Sequence, residues 1–281
     1  MTQRGIRQMS EPCNYPADQG VSEALGFMII FGLVVTGIGL VTLYGYPMLL
    51  QQQTSADEQI MEKNMIVLQN DVKMVTYKTI PFKETSLKIG SGSLTSYSPE
   101  YDRVNTPEFE IYDSTLPKYV VDYIPGDLRY ESDSTQTDIS LQNGAVIMKK
   151  RIEAGSVMLA EPRWYYDSLT NTMVIPLIAL NNTGTKARTG IGTVQLKMVQ
   201  PVEMYTYQVP ANDYIYVMYD PLSATQPQDY STAWGNYLTT RLGATEVVCS
   251  GGSLSAKCYK LGTRDGPTLV IKKFDIRIES L

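Results

Sequence analysis

Few residues in this chain are of types that do chemistry. It contains no histidine, which excludes Ser-His and Cys-His nucleophiles, His-ligated zinc or haem, and a histidine pH switch. Three cysteines, Cys13, Cys249 and Cys258, cannot build a zinc site that needs four thiolates. No Ser-x-x-Lys occurs, so the commonest histidine-free serine nucleophile is missing as well. The glycine-rich stretches at 90–93 and 251–253 lack phosphate-loop spacing and read as turns. Residues 131–138 alternate oxygen-bearing side chains but have neither the central glycine nor the closing glutamate of a calcium loop. They read as a solvated loop. Asn181-Asn182-Thr183 is the one N-glycosylation acceptor pattern, and it falls in a turn. The expectation is therefore a protein that is not an enzyme, with no cofactor and no metal site.

The elements around these residues say more. Charged residues make up 19% of the chain, and 24 Lys and Arg against 29 Asp and Glu leave a net charge of −5. That balance does not suit a nucleic-acid binder, which would be basic. Residues 24–56 carry no charge at all, and residues 24–46 form an apolar run of 23. As a helix it would reach ~34 Å, enough for a hydrocarbon core of about 30 Å. It is longer than the apolar region of a removed signal peptide, and it ends in Tyr44, Tyr46 and Pro47, which suit a membrane interface. Arg4 and Arg7 precede it, and no Lys or Arg follows until Lys63. The positive-inside rule then places the N-terminus in the cytoplasm and the rest of the chain outside, as a single-pass membrane protein.

The junction ahead of the run reads Asp18-Gln19-Gly20-Val21-Ser22-Glu23-Ala24-Leu25-Gly26-Phe27. A short polar leader, a small residue and then an apolar helix resemble the class III signal of type IV prepilins. Val21-Ser22-x-x-Leu25-Gly26 is similar to the start of many archaeal pilins, with Glu23 where the common archaeal form has proline. The resemblance implies an uncharacterised archaeal pilin-like family and cleavage between Gly20 and Val21, with the helix retained. Residues 1–20 would be the leader, 21–81 the membrane and stalk helix, and 82–281 an extracellular head. It also implies the partners: copies of itself in a filament, other pilins, a prepilin peptidase, the pilus assembly machinery and membrane lipid. Glu23 would take part in assembly, paired with the amine that cleavage exposes. The alternative is a single-pass extracellular adhesin or binding protein that does not polymerise. Cys13 would leave with the leader. Cys249 and Cys258 would remain as an even pair outside the cell and are expected to close a disulfide that pins a hairpin across the short loop between them, the alternative being two unpaired thiols.

Pro47, beside Gly45, predicts a kink or break in the helix. Beyond it, Met61, Met65, Leu68, Val72 and Val75 recur at spacings of 4, 3, 4 and 3, a heptad-like stripe that must pack either on the chain's own head or on neighbouring subunits. The helix should run to residue 80 and stop before Pro81. From there the period becomes two. Strands are expected at 87–89, 109–112, 119–123, 173–180, 193–198, 204–209, 214–219, 246–249, 258–261 and 268–278, with Pro176 marking an edge or bulge. Residues 230–242 read as one short helix, capped near Ser231, ended by Gly243 and packed by Trp234. The fold class is thus α+β: a long N-terminal helix followed by an antiparallel, sandwich-like β head. Alternating Tyr205 and Tyr207, or Tyr214 and Tyr216, could face a sugar, although packing is the default reading.

Overall fold

The computed structural model describes residues 19–78, 80–113, 121–184, 186–199, 201–221, 229–249 and 251–281. Arg4, Arg7 and Cys13, most of the leader, and the first two residues of the strand expected at 119–123 lie outside them. The chain divides into two units, Met1–Gln53 and Thr54–Leu281.

Helix α1 (Gln19–Leu40) leads into a π-helical turn, Val41–Gly45, and then into helix α2 (Tyr46–Tyr77). Of the kink or break expected at Pro47, the break does not occur, and the irregularity takes the form of the π-helical turn just before it. Pro47 offers no N–H to the carbonyl of Leu43, and the ladder widens just before it: the N–H of Tyr46 donates to Val41 O, five residues back. The irregularity is absorbed as a wide turn, and the helix continues through the proline.

α2 ends at Tyr77, three residues earlier than expected, and Lys78 N makes the last turn bond, to Met74 O. The restriction that Pro81 places on its predecessor helps to turn the chain out of the α region. The head then follows as β1 (Phe82–Tyr97), β2 (Glu108–Tyr112), β3 (Val121–Tyr123), β4 (Asp127–Ser132), β5 (Thr137–Gln142), β6 (Ala145–Lys150), β7 (Val157–Ala160) and β8 (Tyr165–Asp167). It continues with β9 (Thr172–Asn181), β10 (Lys186–Met198), β11 (Glu203–Gln208), β12 (Ile215–Asp220), helix α3 (Ser231–Leu242), β13 (Thr245–Val247), β14 (Lys257–Leu261) and β15 (Thr268–Ser280).

The described strands form two sheets. The larger runs β7-β6-β5-β4-β1-β10-β15-β9-β8, with β11 also on β15, and the smaller runs β13-β14-β12-β2-β3. All pairs are antiparallel except β9 with β15. The fold is α+β with a β-rich, sandwich-like head, as expected, but that parallel pair departs from a purely antiparallel reading. Pro176 does sit on an edge. β8 covers β9 only along residues 172–174, so among the described residues no strand faces the side of Pro176 away from β15.

The cores explain why the residues of β9 and β15 are apolar on both faces. Met173, Ile175 and Leu177 of β9, with Leu269 and Ile271 of β15, join the small sheet and α3 in one core. Ile178 and Leu180, with Phe274, Ile276 and Ile278, have the opposite parity and join the α2 stripe in the other. The large sheet is therefore covered by α2 on one face and by the small sheet on the other. The stripe Met61, Met65, Leu68, Val72 and Val75 is fully buried in the head of its own chain. Polar contacts fix its register. Gln69 Nε2 donates to Gly144 O at 2.7 Å and to Glu161 O at 3.0 Å, and Asn64 Nδ2 donates to Lys88 O at 3.1 Å. Gly90 has φ +72°, and a Cβ there would lie 2.8 Å from Asp57 Cγ, so a residue without a side chain is needed where β1 passes α2.

α3 forms where expected, but Ser231 does not cap it. Ser156 Oγ accepts from Ala233 N at 3.1 Å and Asp229 Oδ1 accepts from Ser231 N at 2.8 Å. Gly243 closes it in the left-handed region at φ 69°. Trp234 is buried, edge-on to Phe109 at 4.8 Å.

Candidate functional site

The apolar surface of this protein is concentrated in α1 and the turns after it. Phe27, Met28, Ile29, Ile30, Leu33 and Leu43 are each more than three-fifths exposed. A helix apolar on every side, with no polar face to give to water, must be covered by lipid or protein. Its two threonines are satisfied within the helix: Thr36 Oγ1 donates to Gly32 O at 2.7 Å, and Thr42 Oγ1 to Ile38 O at 2.8 Å. A Cβ added at Gly26, Gly32, Gly37 or Gly39 would meet nothing within 4 Å. By length and composition this helix is able to cross a membrane.

Gly20 and Val21 lie in the first turn of α1, so the cleavage junction expected from the sequence is itself helical. Glu23 follows in the same helix and is exposed. Cys249 and Cys258 are joined in a disulfide, with Cα atoms 5.2 Å apart, which closes the hairpin of β13 and β14. The loop it encloses is further held by Ser253, whose N and Oγ donate to Asp220 at 2.7 and 2.6 Å. Asn181 ends β9, and its Nδ2 donates to Asp275 Oδ1 at 2.5 Å.

The other expected clusters find internal partners. Asp133 and Asp138 both pair with Arg151 at 2.7 Å, and among the described residues no group of three Asp, Glu or Cys side chains is placed to hold a metal. Tyr112 and Tyr216 stack on each other at 5.3 Å, which occupies one face of each ring. Tyr205 and Tyr207 use their hydroxyls on Glu203 and Asp113.

Sequence reasoning missed an acidic face on the small sheet. Glu108 stands opposite Asp220, and Glu110 opposite both Asp122 and Met218, in the registers of β2 with β12 and β3. Like charges in cross-strand pairs repel. The alternation of Glu108, Phe109, Glu110, Ile111 hinted at an outer acidic row, but the partners depend on register. Desolvation, then the hydrogen bond and charge of Asp122, push Glu108 up to about 7 against the pull of Arg103, whose Nη2 lies 2.9 Å away. Desolvation, then Asp122 and Asp220, push Glu110 up to about 6. A carboxyl that holds its proton more tightly when folded stabilises the fold below its unfolded pKa, and that contribution is lost as pH rises through the folded value. The head should thus lose stability between pH about 4.5 and about 7 through these two groups. Glu108→Gln should make the head more stable at pH 8 and flatten the profile. Carbon-detected NMR of the Glu108 carboxyl should show a midpoint near 7, and a midpoint near 4.5 would refute the assignment.

The chain matches a family of unknown function, DUF7289, over residues 19–279. No curated protein and no solved structure matches it. The matched stretch runs from the first turn of α1 to the end of β15 and so takes in the apolar helix and both sheets. This chain belongs to the family of unknown function DUF7289.

Proposed function

We propose that this chain is a pilin-like subunit of the archaeal cell surface, held in the membrane and then assembled through its N-terminal apolar helix. The observation that carries the reading is the surface of that helix, apolar on every side and without a charge from Ala24 to Ala56. Lipid covers it before assembly, and the helices of neighbouring subunits cover it afterwards. The disulfide supports placing the head outside the cell, where thiols oxidise. The leader, the charge asymmetry around the span and the resemblance at Gly20 and Val21 support processing by a prepilin peptidase.

Glu23 tests this reading. Cleavage after Gly20 would create an α-amine at Val21, two residues from this carboxylate. Once the helices leave the lipid headgroups and pack together, an unpaired carboxylate is costly, and the amine of a neighbouring subunit is its natural partner. Glu23→Gln should leave expression, insertion and cleavage unchanged and reduce filament yield. Normal yield from a cleaved Glu23→Gln chain would show that the residue is only an interfacial charge.

A further inference from the structure

Met218 and Asp220 of β12 alternate with Ile215, Val217 and Tyr219, which enter the core, so they point to the opposite face of the small sheet. Both are nevertheless buried, with 1% and 4% of their surface exposed. The loop between Cys249 and Cys258 covers them. A Cβ at Gly252 would lie 2.7 Å from Met218 Sδ, so the bare backbone there, at φ +86°, rests on the thioether. Ser253 donates to both carboxylate oxygens of Asp220, from N at 2.7 Å and from Oγ at 2.6 Å. Residues 251–257 thus form a strap across the outer face. It runs on into β14 at one end, and the disulfide pins the other end back to that strand.

The two sulfurs of the pin are not equivalent. Cys258 is fully buried, opposite Met218 in the register of β14 with β12, whereas Cys249 is partly exposed. Tyr112 Oη donates to Cys258 Sγ at 3.7 Å. In thiol–disulfide exchange a thiolate must reach one sulfur while the other leaves, and the reaction is faster when the leaving thiolate is stabilised. Burial closes the route to Cys258 Sγ. Attack at Cys249 expels Cys258, and the tyrosine hydroxyl is already placed to hold the charge that collects there.

We propose that the Cys249–Cys258 disulfide is a one-sided latch: a small thiol attacks Cys249 alone, Cys258 leaves into its hydrogen bond with Tyr112, and the strap lifts from Met218 and Asp220. In the first step the small thiolate bonds to Cys249 Sγ. The electron pair of the S–S bond goes to Cys258 Sγ, which takes up the proton that the thiol gave up. A second small thiol then displaces Cys249 as a thiol. Two protein thiols replace the bridge, and the two small thiols leave as their own disulfide. The strap is then held only by its packing on Met218 and by two hydrogen bonds for which water competes. The latch depends on the cysteine pair and the strap, and it stands or falls independently of whether the chain polymerises.

Two measurements on the full chain in detergent test it. After brief exposure to mercaptoethanol and an acid quench, peptide mapping should find the adduct on Cys249 and a free thiol at Cys258. Tyr112→Phe keeps the ring that stacks on Tyr216 and should slow adduct formation about threefold or more. Hydrogen peroxide then reports on the strap, because it passes one oxygen atom to an accessible methionine sulfur and leaves as water. Met218 should be protected in the bridged protein and oxidised about tenfold faster or more when Cys249→Ser and Cys258→Ser are combined. Met65 and Met173, buried in the two cores, should stay protected in both proteins. An adduct on Cys258 or shared between the cysteines, an unchanged exchange rate in Tyr112→Phe, or equal protection of Met218 with and without the bridge would each overturn the proposal. So would oxidation of Met65 and Met173 along with Met218, which would mean that the bridge holds the whole head and not a strap.

Discussion

Asp127→Ala should destabilise the head by about 3–5 kcal/mol, the range for stripping a buried charge of its partner. Asp127 and Arg129 are both fully buried. The guanidinium donates to Asp127 Oδ2 from Nε at 2.8 Å and from Nη2 at 2.5 Å. Ser140 Oγ donates to the other carboxylate oxygen at 2.5 Å. Arg129 also reaches Asn105 O at 2.7 Å and lies over the Tyr97 ring at 4.6 Å. Without Asp127, the nearest carboxylate is Glu131, at 3.5 Å from Nη1, and Ser140 loses its acceptor. Denaturant unfolding of the full chain in detergent gives the value. The paired change Asp127→Leu with Arg129→Met removes both charges and should cost far less, because desolvating an ion pair offsets much of its attraction. A loss below about 1 kcal/mol for the single variant would show that the pair is not buried as described.

Leu68→Ala should cost about 2–5 kcal/mol, the usual range for emptying a core leucine site. Leu68 is fully buried in the centre of the α2 stripe, in one core with Ile89, Leu94, Ile139 and Leu141 of β1 and β5. Its neighbour Val67 points away and is 47% exposed, so Val67→Ala should stay within about 0.5 kcal/mol. The contrast is diagnostic, because the stripe had two possible partners from sequence. If it packed only between subunits, Leu68→Ala would leave the unfolding of the monomeric chain unchanged. Thermal or denaturant unfolding at a concentration where the chain is monomeric separates the two outcomes.

The sequence patterns that were legible are those in which one face is apolar. The 4-3-4-3 spacing from Met61 to Val75 and the alternation in β12 and β15 mark faces that do enter cores. β4 and β5 were not legible, for the same physical reason that makes Asp127→Ala costly. Asp127, Arg129, Asp138 and Ser140 look solvent-facing by type, yet each is buried, and burial of such groups is favourable only where other residues supply their partners. The hairpin of β5 and β6 left one trace, Asn143-Gly144, which forms the expected turn with φ 46° and 73°. The parallel pairing of β9 with β15 left none: the change of buried face reads in β9 as one continuous apolar run and in β15 as a break at Lys272-Lys273 in the alternation. In the candidate site the same division holds. The apolar helix and the cysteine pair were visible from composition and spacing. The acidic face around Glu108 depends on cross-strand register, which no local pattern encodes.

The pilin-like reading rests on processing at one bond. Intact-mass and N-terminal peptide analysis of the protein from native membranes and surface filaments tests it most directly. The account predicts a mature chain that begins at Val21, retains the apolar helix and carries the Cys249–Cys258 disulfide. A chain that begins at Met1, or one cut after Tyr46 so that the helix is lost, would contradict it.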